Sequence, residues 1–232
     1  MPTQKTFKKR NLPPCPDPEN YCLVRHKDNS YYWRLRRGTR KPAVLNEAFA
    51  ANATLTALIS PLISRLTIPI IAFAEHRQLS RLHTRLLTPV KKYYKEHNRI
   101  SYTGLLGMDL LPHAPLHRLF AGSIDTRYSN EMITVMITAG NNYVKKNNTL
   151  VTDYYFEAML LVGDISHKTT LEIDTEQSEL LSFTGPAQQN IQFQFISPLH
   201  EPWVLILKLA CFEGHQKAAN DKHYGIRIIA TG

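Results

Sequence analysis

Basic side chains are the residues of this sequence whose types and spacing point to chemistry. Six of them recur in the middle of the chain at offsets of 0, 4, 8, 15, 18 and 22 residues, opposite apolar residues that repeat at helical spacing. These six residues, which we call the basic stripe, are Arg77, Arg81, Arg85, Lys92, Lys95 and Arg99. A helix face that is merely solvated usually mixes positive and negative charges. The basic stripe therefore predicts contact with an anionic partner.

A second basic group follows an aromatic strand nearer the N-terminus, in the stretch YYWRLRRGTRKP (31–42). Alternation along this strand predicts that Tyr31, Trp33 and Leu35 face a core. The opposite face and the loop that follows carry the second set of predicted binding residues, which are Tyr32, Arg34, Arg36, Arg37, Arg40 and Lys41. Arginine binds phosphate and carboxylate oxygens in a bidentate manner, and an exposed tyrosine can stack on a base. This group is therefore also predicted to bind an anionic surface.

Charge is distributed unevenly along the chain. The formal net charge is +9, but residues 1–100 hold 19 Lys and Arg against 6 Asp and Glu, whereas residues 101–232 hold 9 against 13. A basic N-terminal part and an acidic C-terminal part predict association with an acidic protein surface, including the acidic part of another copy. Nucleic acid is the alternative anionic partner.

Motifs that would fix an enzymatic activity are absent from the sequence. It contains no G-x-G-x-x-G or G-x-x-x-x-G-K-[ST] phosphate loop, no G-x-S-x-G turn and no H-E-x-x-H zinc helix. Asp153 and Glu157 are predicted to lie about 13 Å apart on one strand face, which exceeds the carboxylate separation of a glycosidase. We therefore predict no catalytic residues, no cofactor and no small-molecule substrate. An enzyme whose site or metal centre is assembled from distant segments is the alternative.

Cysteine usage and apolar segments indicate the compartment. Three cysteines are too few for a disulfide framework, and no histidine lies at zinc-finger spacing from them, so no metal site is predicted. The N-terminus has basic residues but lacks the apolar run of a secretory signal. Residues 55–73 are long and apolar but include Arg65 and two prolines, so we predict a buried helix and a connection rather than a membrane span. The expected location is the cytoplasm.

Changes in sequence pattern predict three regions. Residues 1–20 are basic and then proline-rich, which is typical of an extended arm. Residues 21–121 begin with two runs of strand-favouring residues around KDNS, which predict a β-hairpin, and continue with helices. Residues 122–232 contain seven short β segments separated by turn residues, which predict an antiparallel β-sandwich.

Two helices are predicted between residues 46 and 99. In the first, apolar residues recur on one face, with a kink expected at Pro61 and an end at the segment TIPI, 67–70. The second carries an apolar face opposite the basic stripe, formed by Leu79, Leu82, Leu86, Val90 and Tyr93.

The order of these features resembles a widespread group of proteins from Bacteroidota that has no established activity. The likeness covers most of residues 20–232. It includes an aromatic-x-R hairpin, the helix start AFAANATLTAL, the helix SRLHTRLL and the junction GMDLLPHAPLHRLF, followed by the strands TDYYFEAMLLVGDI and FEGHQKAANDKHYGIRIIAT. The proline-rich arm and the fewer glycines of the hairpin depart from that group. The resemblance implies a hairpin, central helices and a β-rich region, and it brings no catalytic residues.

These observations together predict an α+β protein with an N-terminal β-hairpin and helices followed by an antiparallel β-sandwich. The predicted function is that of a non-enzymatic structural or interaction protein, which self-associates or docks to an acidic partner through its basic N-terminal half. Sequence-independent binding of nucleic acid through the same cations is the alternative function.

Overall fold

A computed structural model of the protein describes residues 8, 11–36, 47–75, 77, 79–163, 171–196 and 201–232. The chain divides into two compact units, residues 1–50 and residues 51–232. The three cysteines are free thiols, and Cys211 is buried.

The first unit contains the predicted β-hairpin. Strands β1 (Tyr21–Arg25) and β2 (Tyr31–Leu35) pair in an antiparallel manner. The turn between them is fixed by Asp28, whose carboxylate accepts hydrogen bonds from the backbone and side chain of Ser30, and by Asn29, whose φ is 63°. Trp33 is half-buried, and its indole N–H donates to the carbonyl of Pro13 at 2.8 Å. Part of the proline-rich segment therefore lies against the hairpin.

Helix α1 (Glu47–Phe73) is longer than the sequence pattern indicates. It continues through Pro61 and Pro69, so the predicted end at TIPI is wrong. Each proline removes one backbone donor from the helix, but apolar residues keep one face of α1 buried across both positions. That burial favours a continuous helix over a break. The buried residues are Leu55, Ile59, Leu62, Ile63, Leu66, Ile70 and Phe73.

Helix α2 (Leu82–His97) carries the predicted apolar face. Leu82, Leu86 and Val90 are buried in the core that α1 also enters, which confirms this part of the prediction. The residues that flank the helix, Arg81 and Asn98, have left-handed backbone with φ of 53° and 50°. A 3₁₀ turn and the one-turn helix α3 (Leu116–Leu119) follow before the sheets begin.

Two antiparallel sheets form the rest of the second unit. The large sheet is centred on β5 (Val151–Val162) and β9 (Trp203–Glu213). Its other strands are β6 (Glu172–Gln177), β7 (Leu181–Ser182), β10 (Gln216–Lys217) and β11 (Tyr224–Thr231). The small sheet has the order β3 (Ile124–Ser129), β4 (Met132–Ala139) and β8 (Gln189–Ile196).

Both faces of the two central strands of the large sheet are buried, which explains the long apolar runs of β5 and β9. Alternate residues such as Tyr155 and Met159 pack with the helices in one hydrophobic core. The residues between them, such as Phe156 and Leu160, pack with the small sheet in a second core. The predicted α+β class, with a hairpin and helices followed by an antiparallel β-rich region, is confirmed.

Candidate functional site

Arg77 belongs to the basic stripe, but its side chain is bound within the protein. It lies in the connection after α1 rather than on a helix. Its guanidinium donates to the Asp221 carboxylate at 2.7 Å and to the carbonyls of Ala218 and Ala219 at 2.8 and 3.1 Å. It also stacks 4.1 Å from the centre of the Tyr224 ring. Arg77 therefore fastens the connection to the segment before β11.

Arg85 is the second stripe residue that is held internally. Its guanidinium donates to the carbonyl of Leu110 at 2.7 Å and to the carbonyl of Asp109. Partial burial lowers the pKa of Arg85, against a smaller opposing effect of the Asp109 carboxylate. The side chain satisfies backbone acceptors that burial would otherwise leave without donors. These internal bonds explain the position of Arg85. An anionic partner would have to compete with the two carbonyls for the guanidinium.

The other four stripe residues are exposed. Lys92 and Lys95 lie on the solvent face of α2, and Arg81 and Arg99 lie just before and just after the helix. No hydrogen bond or ion pair to these four side chains is present within the described residues. Glu96 lies on the same stretch of helix, so this surface is not purely cationic. We call Arg81, Lys92, Lys95 and Arg99 the exposed α2 cations.

The predicted binding residues of the hairpin have mixed environments. Arg34 is exposed and Tyr32 is half-buried. Arg36 donates to the carbonyls of Pro18 and Tyr21 at 3.2 and 3.3 Å, so it also has a structural role. Arg37, Arg40 and Lys41 lie outside the described residues. A single surface that joins the hairpin to the exposed α2 cations stays a prediction.

A buried ionic network, which we call the Lys208 network, was missed from the sequence. Lys208 lies in the middle of β9 and is 2% exposed. Its ammonium donates to the Phe73 carbonyl at 3.2 Å and to Glu75 at 3.0 Å, and it forms an ion pair with Glu157. These three acceptors use all three N–H donors of the lysine. A single charge inside the apolar run WVLILKLACF was the signal that could have located it.

Glu75 is the centre of the Lys208 network on the helical side. Its backbone has a φ of 54°, which is unusual for a residue with a side chain. Its carboxylate accepts hydrogen bonds from Lys208, Lys217 and the Tyr155 hydroxyl. Burial alone would raise the pKa of Glu75, but the hydrogen bonds and charges of Lys217 and Lys208 outweigh it and lower the pKa. The network holds the end of α1 on the large sheet.

The chemistry available to the Lys208 network is limited by its own bonds. With three acceptors on the ammonium, Lys208 has no N–H donor left for a ligand. Among the described residues, no group of three His, Cys, Asp or Glu side chains is arranged to hold a metal ion. The network is therefore best explained as a structural link.

Strand β6 presents the clearest acidic surface in the described part of the chain. Glu172, Asp174 and Glu176 alternate along it and share one face of the strand. One edge of β6 pairs with β5, and its other edge pairs with no strand among the described residues. Glu176 accepts a hydrogen bond from the backbone N–H of Gln194 in β8 at 2.9 Å, which leaves Glu172 and Asp174 exposed. We call these three carboxylates the acidic edge.

Helix α1 is long and apolar enough to cross a membrane by length and composition, and 33% of its most apolar window is buried inside the protein. Its buried face belongs to the hydrophobic core described above. Buried core helices commonly share this composition.

Comparison with protein-family models and with curated proteins returns no match. No protein-family model matches the sequence, and no curated protein matches it significantly. The resemblance to the Bacteroidota group therefore stays a prediction.

Proposed function

We propose that the protein is a non-enzymatic structural protein that self-associates. In this proposal the exposed α2 cations of one copy contact the acidic edge of the next copy. The observation that carries it is strand β6, which has three carboxylates on one face and only one edge paired among the described residues, in the same chain as four exposed cations around α2. A contact between two different surfaces of identical chains repeats head to tail and builds rings or filaments.

The exposed charges on the two surfaces have comparable spacing. Glu172 and Asp174 lie two residues apart on β6, which is roughly 7 Å at the rise of a strand. Lys92 and Lys95 lie three residues apart on α2, which is roughly 5 Å along the axis at the rise of a helix. Two cations on one surface can therefore face two carboxylates on the other.

The acidic edge favours contact through side chains over addition of a strand. Charged residues on an edge strand discourage pairing with the backbone of another sheet. Each exposed ion pair contributes about 0 to 1 kcal/mol, so association depends on several pairs acting together. We therefore expect the association to weaken as salt is added. At an ionic strength of 0.1 M, charges more than about 10 Å apart are largely screened from one another.

Charge reversal followed by mixing tests this proposal directly. One variant carries Lys92→Glu and Lys95→Glu, and the other carries Glu172→Lys and Asp174→Lys. Each variant alone presents two surfaces of the same sign, so both are expected to be monomers by light scattering at low salt. An equimolar mixture restores two complementary surfaces, and we expect it to associate as the natural protein does.

A matched control separates a specific surface from net charge. Lys27 and Arg127 are exposed cations outside both surfaces, and Lys27→Glu with Arg127→Glu changes the net charge as much as the α2 variant does. The control is expected to associate normally. Dissociation of the control to the same extent, or a natural protein that stays monomeric at high concentration and low salt, would contradict the proposal.

Nucleic acid is the competing partner for the same cations, and the two variants distinguish it. If duplex DNA bound the natural protein, the α2 reversal would abolish binding and the β6 reversal would strengthen it, because binding depends on released phosphate counterions. That result without self-association would replace the proposed function. Arg77 and Arg85 are already bound internally, so the central cations available to a phosphate backbone fall from six to four.

A further inference from the structure

The structure contains a second cationic feature, which none of the exposed α2 cations lines. It is a cleft of about 330 Å³ beside α3 and the start of β11. Its polar lining consists of His113, Arg118, Lys145, Asn147 and Lys222, and no described carboxylate lines it. We call it the basic cleft.

The concentration of positive charge in the basic cleft is unexpected from its surroundings. Residues 101–232 carry a net negative charge and contain nine Lys and Arg, and three of those nine line this cleft. The side chains of Arg118, Lys145 and Lys222 have no ion pair within the described residues. Like charges held in one concavity repel one another and strengthen the local field for an anion.

Asp221 is adjacent in sequence to a residue that lines the cleft, but its carboxylate is already bound to other side chains. Asp221 precedes Lys222, and it forms an ion pair with Arg77 at 2.7 Å and a hydrogen bond with the His113 imidazole at 2.9 Å. Burial alone would raise the pKa of Asp221, but the hydrogen bonds and charges of His113 and Arg77 lower it. Asp221 therefore orients His113 and is not free to neutralise the three other cations.

Hydrogen bonds between distant segments fix the walls of the basic cleft. The backbone N–H of Lys145 donates to the Leu119 carbonyl at 2.8 Å. The Asn147 amide donates to the Lys222 carbonyl at 2.9 Å. These bonds join α3, the segment before β5 and the segment before β11 into one frame. A frame that is set before a ligand arrives lowers the entropic cost of binding.

We propose that the basic cleft binds the phosphate group of a small anion, either inorganic phosphate or a phosphomonoester. An arginine can hold two phosphate oxygens at once, and lysines add point charges. The volume of about 330 Å³ lies at the lower end of the range for small-molecule pockets, roughly 300 to 1,000 Å³, so the cleft has room for a phosphate group and a small substituent. This site is separate from the exposed α2 cations and does not depend on the proposed self-association.

Calorimetric titration of the full chain with sodium phosphate, at ionic strength held constant with sodium chloride, tests the proposal. The natural protein is expected to bind phosphate with saturable heat. Arg118→Ala with Lys145→Ala is expected to weaken the affinity by roughly a hundredfold, because it removes two charge-assisted contacts and each costs about a factor of ten. Phosphoserine in place of phosphate tests the phosphomonoester.

The matched control removes the same number of charges elsewhere. Lys92→Ala with Lys95→Ala is expected to keep phosphate affinity within about twofold, since these side chains belong to the exposed α2 cations. Both pairs are exposed, so thermal melts should stay close to that of the natural protein. Equal weakening by the control, or heats of phosphate that match those of chloride, would overturn the proposal. Binding of duplex DNA at the cleft without binding of phosphate or phosphoserine would also overturn it.

Discussion

Lys208 occupies a position in β9 where both neighbours along the strand, Leu207 and Leu209, are fully buried. A charge at such a place is tolerated when every donor has an acceptor. The ammonium meets that condition with two carboxylates and the carbonyl that ends α1. The same three bonds join α1, the Glu75 turn and the large sheet.

Replacement of this lysine should destabilise the fold. Lys208→Met leaves Glu157 and Glu75 facing an apolar side chain, and removal of one partner of a buried ion pair costs roughly 3 to 5 kcal/mol. Because Glu75 is partly exposed, we expect a loss near 3 kcal/mol in the free energy of unfolding, measured by urea denaturation. Lys222→Met on the surface is the control, with an expected change within about 0.5 kcal/mol. A loss no larger than that of the control would mean that the network contributes nothing.

The lowered pKa of Glu75 predicts how the free energy of unfolding changes at acidic pH. Its folded-state pKa is depressed below the ordinary 4.5, so the unfolded chain binds a proton at this residue before the folded protein does. The stability that the network contributes is therefore present above pH 4.5 and is lost as the pH falls through the folded-state pKa. Glu75→Gln removes this proton uptake. We expect its unfolding free energy to fall less steeply than that of the natural protein between about pH 5 and about pH 3.

The comparison for this prediction is Asp28→Asn. Hydrogen bonds from the Ser30 side chain and backbone lower the pKa of Asp28 to about 2, although the residue is exposed and lies in the first unit. Its replacement should leave the acid response of the second unit unchanged. Parallel curves for Glu75→Gln and the natural protein would contradict the assignment to Glu75.

At the scale of elements, the features that could be predicted from the sequence are those that depend on residues close together along the chain. The apolar face of α2 and the segments that become β4, β8 and β9 follow from spacing alone. Strand β3 was missed because its turn to β4 is Asn130-Glu131, with both residues in left-handed backbone. Two-residue hairpin turns of this kind usually carry glycine at the second position, and glutamate gives no such signal.

Positions that depend on distant residues could not be predicted in this way. The stripe pattern treats Arg77 and Arg85 as equal to Lys92, but carbonyls at Ala218 and Leu110 bind the two arginines. Backbone acceptors of this kind leave no trace in residue types. The basic cleft was missed for the same reason, because its cations come from three separated segments.

The path of α1 through its prolines gives a prediction at this scale. Pro61 lies on the exposed side of the helix, and a proline inside a helix costs about 3 kcal/mol relative to alanine. Since the buried face already keeps α1 continuous, Pro61→Ala should raise the free energy of unfolding by about 1 to 3 kcal/mol. Ser64→Ala on the same side is the control, with little change expected. A decrease for Pro61→Ala would mean that the core requires the geometry that Pro61 imposes.

At the scale of the whole molecule, every buried apolar residue of the described chain lies at or after Leu55. Both hydrophobic cores are built from α1, α2 and the two sheets, which belong to the second unit except for the first turn of α1. The exposed α2 cations and the acidic edge lie in this unit too. Stability and the proposed self-association should therefore both reside in residues 51–232 and the start of α1.

A fragment of residues 47–232 tests that conclusion. It keeps α1 from its first residue and loses no residue of either core. We expect its Tm by circular dichroism to stay within about 4 °C of the full chain, which corresponds to about 1 kcal/mol for a domain of this size. Light scattering at low salt should give the same association as the full chain, because both proposed surfaces remain. If the fragment melts normally but stays monomeric, the cations of the first unit, such as Arg34, must supply the contact in place of the exposed α2 cations.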